Sequence, residues 1–562
     1  MKRLLVALLI PVLAVPLLAE SRLPMRGRHA MVASVDVIAS RVGADVMKRG
    51  GNAVDAAVAV AFMLAVTWPE AGNLGGGGFM LVRTPGGKSE AIDYRETAPA
   101  AASRNMYLDA SGKVTKESTL GYRAVAVPGT VAGLAFVHKR YGKLPWRMLV
   151  EPARKLAAEG FVVSPYLERS LAATEAQRMK QFPESWRIYG GKKEGDRLVQ
   201  PELAAVLARI ANDPSDVYRG VTAKKIVAAM KAHGGLITAA DLASYKVKVR
   251  IPLRGTYRGY EVVSMPPPSS GGIALIEMLN MLEPYDLKSM GWHSSEHVHT
   301  MLEVMRRAYA DRAKFLGDPD FTKIPVAGLT SKAYAEKRRA DIDPARASDS
   351  KSVGAGDPAP YESSSTTHFS IADRDGMLVS NTYTLNDSFG AAVTVSGFLL
   401  NDEMDDFASR PGTPNLYGLV QGEANAIAPH HRPLSSMTPA FVLKDGKPFL
   451  VLGSPGGGTI INTVLQVIVN IVDFGMSPQE AVDATRFHHQ WLPDEVGWER
   501  YEFPRDTWDA LTKMGYVFHA VPGLVSSKTP GNIGDAEVIA FDTNGTRLGA
   551  SDPRRGGASV GW

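Results

Sequence analysis

The chain has 562 residues, 45% of them hydrophobic and 22% charged, ordinary for a globular protein and ample for one large core or several domains. Its formal net charge of +5 is too mild to argue for nucleic-acid or membrane-surface partners. There is no cysteine, which excludes disulfides, a thiol nucleophile, zinc thiolate sites and lipid attachment through cysteine.

Residues 1–19 read MKRLLVALLIPVLAVPLLA: two basic residues, an apolar run from Leu4 to Leu18, then Ala19 before Glu20. That pattern predicts a secretory signal peptide, and the run is short and proline-broken for a membrane span. Export without disulfides suits a bacterial periplasm or the surrounding medium. Ala53 to Trp68 is almost wholly apolar and follows Gly50-Gly51-Asn52, so a helix buried on all sides is expected. Asn73 to Val82 reads as a glycine turn feeding a strand. Gly75 to Gly78 lacks the trailing Gly-Lys-Ser/Thr of a phosphate loop and points instead to close backbone packing.

Residues 145–245 look helical and amphipathic, with a capped start in the segment Ile237 to Leu242. Pro266 to Gly272 reads as a rigid turn before an apolar helix at about 273–283. Residues 341–365 are rich in Ser, Asp, Pro, Gly and Ala. They predict an exposed, flexible linker of the kind in which chain cleavage concentrates. No repeat of solenoid length is present.

Strand-like alternation resumes at Thr366, and Asp373-Arg374-Asp375-Gly376 marks a hairpin turn. A two-residue turn would pair Thr366 with Leu385 and mix polar with apolar residues on both faces. A three-residue loop with Gly376 in the left-handed position pairs Thr366 with Thr384. It gathers Thr366, His368, Ser370, Ser380, Thr382 and Thr384 on one face, with Phe369, Ile371, Val379, Tyr383 and Leu385 on the other. The second register separates the faces and is the one expected. Taken alone, the hairpin is better explained by a half-exposed pair whose threonines reflect β-propensity. A linker before Thr366 and the acidic Glu403-Met404-Asp405-Asp406 after it shift the reading toward chemistry. A threonine hydroxyl needs a base, and cutting the chain after Ser365 would make the new α-amino group of Thr366 that base.

These residues sit among eight ordered blocks: NLGGGGF from Asn73, DYRETA from Asp93, VPGTVA from Val127, TTHFS from Thr366, NDEMDDF from Asn401, RPLSSM from Arg432, GSPGG from Gly453 and SDPR from Ser551. With them the chain resembles the γ-glutamyltranspeptidase (glutathione hydrolase) family of N-terminal-nucleophile hydrolases, from about residue 25 to the end. The resemblance implies an α+β fold, a four-layer αββα sandwich formed jointly by two autoprocessed subunits. Residues 20–365 would be the large subunit and 366–562 the small one, beginning with the nucleophile.

The resemblance also implies roles. Thr366 would be the nucleophile, first on the Ser365 carbonyl and then on a γ-amide, with Thr384 orienting it. Arg95, Ser435 and Ser436 would hold the donor's α-carboxylate. Asn386, Glu403 and Asp406 would hold its α-ammonium, some relatives having Gln where this chain has Glu403. Asp405 is left as a local turn or cap residue. Gly456 and Gly457 would offer N–H groups to the oxyanion, although Gly458-Thr459 replaces the Ser-Arg that commonly follows. Residues 411–429 correspond to a lid, with Tyr417 over the glutamyl group.

The expected donors are glutathione and other γ-glutamyl compounds, and the acceptors are water, amino acids or peptides. No cofactor, nucleic acid or membrane anchor after signal cleavage is implied. Neither His430-His431 nor His488-His489 completes a metal site, since adjacent side chains diverge and no carboxylate spacing joins them. A glutaryl-cephalosporin-type acylase of the same architecture and a non-catalytic exported binding protein are the alternatives.

Overall fold

A computed structural model describes residues 22–358, 368–499, 503–519 and 532–562. The leader and the Ser365-Thr366 bond lie outside the described residues.

Two antiparallel seven-stranded sheets form the centre. Their strands run, in chain order, β1 (Met25–Gly27), β2 (Met31–Ser34), β3 (Gly77–Arg83), β4 (Ser89–Tyr94) and β5 (Lys248–Arg250). Next come β6 (Leu253–Tyr257), β7 (Tyr260–Ser264), β8 (His368–Ala372), β9 (Leu378–Thr384) and β10 (Ala440–Lys444). The last are β11 (Lys447–Gly453), β12 (Glu537–Phe541), β13 (Arg547–Ser551) and β14 (Ala558–Gly561). One sheet has the order β14-β2-β8-β9-β3-β4-β5, the other β1-β13-β12-β11-β10-β7-β6.

The layering follows from the two-residue period of a strand, which sends successive side chains to opposite faces. On β3, Phe79 and Leu81 join the core between the sheets, while Met80 and Val82 join the core under the helices. On the other sheet Val263, Val451 and Ile539 point inward, and their neighbours Val262, Leu450, Leu452 and Val538 point to the opposite helical layer. Helices α1 (Val37–Lys48) and α2 (Ala53–Thr67) cover the first sheet. Helices α3 (Gly271–Leu282), α4 (Ser295–Phe315) and α5 (Ile460–Val472) cover the second. Helix, sheet, sheet, helix is the expected four-layer sandwich.

The predicted buried helix is α2. Every residue in it is buried, and a reciprocal cap between Asn52 and Asp55 starts it. The capped start near Ile237 is also present, with Thr238 and Asp241 as the reciprocal pair. The proline turn leads into α3 at Gly271, two residues earlier than expected.

The hairpin has the expected register. His368 faces Thr382, Ser370 faces Ser380 and Ala372 faces Leu378, with Gly376 at φ 88°. Phe369, Ile371, Val379, Tyr383 and Leu385 enter the core under the helices. The polar face turns toward the second sheet, where Ser370 Oγ donates to Glu537 O at 2.9 Å and Ser380 Oγ to Leu452 O at 3.1 Å. Both strands are buried throughout, so the half-exposed alternative is excluded.

One expectation needs correction. The stretch 341–358 is largely exposed, as expected, but it is anchored at several points rather than a free linker. Ser350 is buried, and its N–H donates to Asp494 at 2.8 Å. Trp491 Nε1 donates to the carbonyls of Ser350 and Val353, and Gly356 N–H donates to Asp311 on α4. Polar composition marked the segment as unable to form its own core, but not that it lies against the polar groups of α4.

Candidate active site

The glycine run packs against the end of the hairpin. A Cβ on Gly76 would lie 1.8 Å from Thr384 O, so no other residue fits there without moving one backbone. Asn73 fixes the approach: its Nδ2 donates to Thr384 O at 2.8 Å while its Oδ1 accepts from Gly76 N–H and Thr130 Oγ1. Thr384 Oγ1 in turn accepts the Asn386 N–H at 2.8 Å. Asn386 has φ 77°, and its Nδ2 donates to Asp402 O at 3.1 Å.

A short 3-10 turn, Glu403–Asp406, carries the acidic residues. Asn401 pins it, donating to Gly75 O and Ala126 O while accepting from the N–H groups of Ala126 and Glu403. Arg95 follows β4 directly and is fully buried. Its guanidinium bonds Glu403 Oε1, reaches Asp406 Oδ2 at 2.6 Å, and lies 3.5 Å from Glu96. The groups expected to take opposite ends of a zwitterion are therefore in mutual contact. Glu96 is thus a local ion-pair partner of Arg95. Asp93 is instead occupied by Arg250 and Arg432.

Burial pushes Glu403 and Asp406 above the usual carboxylate range, and pushes Glu96 up to about 7. Arg95 opposes the shift at all three carboxylates.

Ser435 and Ser436 are buried, and neither Oγ has a hydrogen-bond partner among the described residues. Glu403 Oε2 is likewise unpartnered among them. The serines follow Pro433, whose carbonyl accepts from Arg95 Nε at 3.3 Å. Buried polar atoms are nearly always satisfied, so these orphans mark a place suited to a polar ligand.

The loop after β11 carries Gly456 at φ 134° and Gly457 at φ 55°, conformations that favour glycine. A Cβ on Gly457 would come within 2.7 Å of the Tyr417 ring. Tyr417 Oη donates to Asn386 O at 2.5 Å, and Gln490 Nε2 donates to Tyr417 O at 3.1 Å. The segment 411–429 thus lies across the site, joined to both the hairpin end and the glycine loop. Asn415 Nδ2 adds a contact to Asp406 Oδ1 at 3.3 Å.

The described residues therefore bring together Arg95, Thr384, Asn386, Glu403, Asp406, Tyr417 and Gly457, with Ser435 and Ser436 in the segment that begins at the Pro433 carbonyl bonded by Arg95. Thr366 and Ser365 lie outside the described residues. Sequence reading passed over three contributors. Asp405, set aside as a local turn residue, accepts Leu416 N–H at 2.9 Å and Ser118 Oγ at 2.8 Å, so it ties the crossing segment down. Burial pushes it up to about 6. Glu96, beside Arg95 in the DYRETA block, and Arg312 were the others. No local pattern marks Arg312, because its partner Ser270 is distant in sequence.

The histidine pairs have other occupations. His488 bonds Asn462 and Gln490, His489 faces Asp494, and His431 stacks on Phe321.

The profile of the family described as gamma-glutamyltranspeptidase matches residues 39–562. The glutathione hydrolase proenzyme of Escherichia coli strain K12 is 49% identical over 539 residues, covering 94% of this chain and 91% of that one. The acylase ACY 1 proenzyme of Pseudomonas sp. strain SE83 is 39% identical, with 96% and 94% covered. Among solved structures, the cephalosporin acylase from Bacillus halodurans superposes with a TM-score of 0.85 at 27% identity, covering 99% of both chains.

Proposed function

Because the chain belongs to the gamma-glutamyltranspeptidase family, we propose that it is a glutathione hydrolase and γ-glutamyltransferase that activates itself by cleavage before Thr366. The Thr366 hydroxyl attacks the Ser365 carbonyl, the acyl group moves from nitrogen to oxygen, and water hydrolyses the resulting ester. The freed α-amino group titrates near ~7.7–8.0, so a useful fraction is neutral around neutral pH and can take the hydroxyl proton. Thr366 Oγ then attacks the donor's γ-amide carbonyl. Gly456 and Gly457 N–H groups stabilise the oxyanion, and the amine leaves with the proton. The γ-glutamyl ester passes to water or to the amine of an amino acid or peptide.

The observation that carries the reading is the charge pattern at Arg95. A guanidinium with two orphan serine hydroxyls suits an α-carboxylate, and Glu403 with Asp406 suits an α-ammonium. Of the two donor types in question, the γ-glutamyl head group is the one that offers both. A glutaryl amide, the donor type of the acylase reading, lacks the ammonium and leaves two buried carboxylates without a cationic ligand. Thr384 orients the nucleophile, and Tyr417 closes over the bound glutamyl group. Residues 1–19 direct export to the periplasm or medium, and 20–365 and 366–562 stay associated after cleavage.

Hydrolysis of γ-glutamyl-p-nitroanilide and glutaryl-p-nitroanilide by the purified protein tests the assignment. Preference for the first is expected. Preference for the second would transfer the protein to the acylases, and no turnover of either would favour a binding protein.

A further inference from the structure

Arg312, on α4, is a second guanidinium buried at this site, and only 2% of it is exposed. Its Nε donates to Ser270 Oγ at 3.0 Å, its one hydrogen bond among the described residues. It has no carboxylate in ion-pair contact among them, unlike the buried Arg95, Arg306, Arg307 and Arg486. Burial accordingly pushes it down to about 10, with Tyr309 and Asp406 as the groups that oppose the shift. A buried cation without a pair is costly, so its retention calls for a use.

Two connections suggest that use. Ser270 holds the Ser435 carbonyl twice, through its N–H at 3.2 Å and its Oγ at 2.9 Å. Arg312 therefore backs the segment whose Ser435 and Ser436 hydroxyls are orphaned. It also lies within electrostatic reach of Asp406, which it favours in the ionised form. The other groups bearing on Asp406 are Arg95, Glu96, Glu403, Asp405 and Tyr417, and of these only Arg95 is a cation.

We propose that Arg312 is a positioning residue for donor recognition: it sets Ser435 through Ser270 and supplies a second positive charge acting on Asp406 when Arg95 turns to the donor's carboxylate. This deepens the reading given above and rests on it. Arg95 is shared between Glu403 and Asp406, so engaging a carboxylate ligand weakens its hold on both. Removing the second cation weakens the support for the ionised form of Asp406 and with it the attraction for ammonium. Arg312 touches no reacting atom in this account.

The test compares the full-length protein with Arg312→Gln, Arg312→Lys and Ser270→Ala, using γ-glutamyl- and glutaryl-p-nitroanilide. Arg312→Gln should raise KM for the γ-glutamyl donor by about tenfold or more, with kcat within about threefold. KM for the glutaryl amide should rise much less, so the preference narrows. Arg312→Lys keeps the charge and should restore the preference. Ser270→Ala should raise KM for both amides alike, because both carry the carboxylate end. An unchanged preference in Arg312→Gln, or a Lys variant as impaired in preference as the Gln variant, overturns the proposal. If Arg312→Gln does not fold, Ser270→Ala decides, and unchanged KM values there overturn it. Wild-type protein that fails to hydrolyse the γ-glutamyl donor would defeat the functional reading instead.

Discussion

At Arg95 a guanidinium without solvent exposure serves Glu403 and Asp406 at once, which only a planar fork of donors can do. A lysine there would keep the charge but reach one partner at a time. Breaking one side of a buried ion pair costs about 3–5 kcal/mol, so Arg95→Lys should lower kcat/KM for a γ-glutamyl donor by about 10²–10³-fold, mostly through KM. Steady-state kinetics would show it, and a change below about threefold would remove Arg95 from donor binding. Arg95, Glu403 and Asp406 were legible because they fall in short blocks that resemble a family. Arg312 was not. It lies in RAYADRAKF, a stretch outside the eight blocks, and α4 buries Glu303, Arg306, Arg307, Asp311 and Arg312. The partners that make this tolerable come from residues 341–350, Asp494 and Ser270, and no local window contains them.

Among the elements, the hairpin of β8 and β9 shows what periodicity can settle. Two registers were open, and only one gathered His368, Ser370, Ser380, Thr382 and Thr384 on one face. The structure adopts it because that face meets the second sheet, whose carbonyls accept the serine hydroxyls. His368 shares that face, with Nδ1 3.1 Å from Thr382 Oγ1 and Nε2 2.8 Å from Ser370 Oγ. Burial pushes its imidazole down to about 3. The unfolded chain therefore binds a proton below about 6.5 that the folded chain refuses. The stability contributed by neutral His368 is present above about pH 6.5 and is lost as pH falls toward 3. Denaturant titrations of wild type and His368→Gln should give curves that converge as pH drops from about 6.5 to 4.5, by about 1.4 kcal/mol per unit. Parallel curves would mean the ring titrates normally. The glycine run is the complementary case, since its need for glycine at 76 is a matter of backbone approach. Gly76→Ala should cost about 1–3 kcal/mol by overpacking against Thr384 O, read from the same titrations. Unchanged stability would show that the close approach is not needed.

Over the whole molecule, the two segments expected from cleavage are interleaved. The first sheet alternates between them, since β8 and β9 lie between β2 and β3, and β14 flanks β2. In the second sheet β6 and β7 pair alongside β10 and β11. A break after Ser365 would therefore leave every ladder intact, and the halves should co-elute on size exclusion and part only in denaturant. The layered fold was legible from family resemblance and confirmed by the sheet order. The anchoring of 341–358 was not, because polar composition reports the lack of a local core and says nothing of distant partners. An intact-mass measurement of purified wild type and Thr366→Ala under denaturing conditions bears most directly on the central claim. The account predicts two wild-type polypeptides divided between Ser365 and Thr366, and a single undivided chain for the variant. An undivided wild-type chain that still hydrolyses γ-glutamyl-p-nitroanilide, or a shorter fragment beginning at another residue, would contradict it.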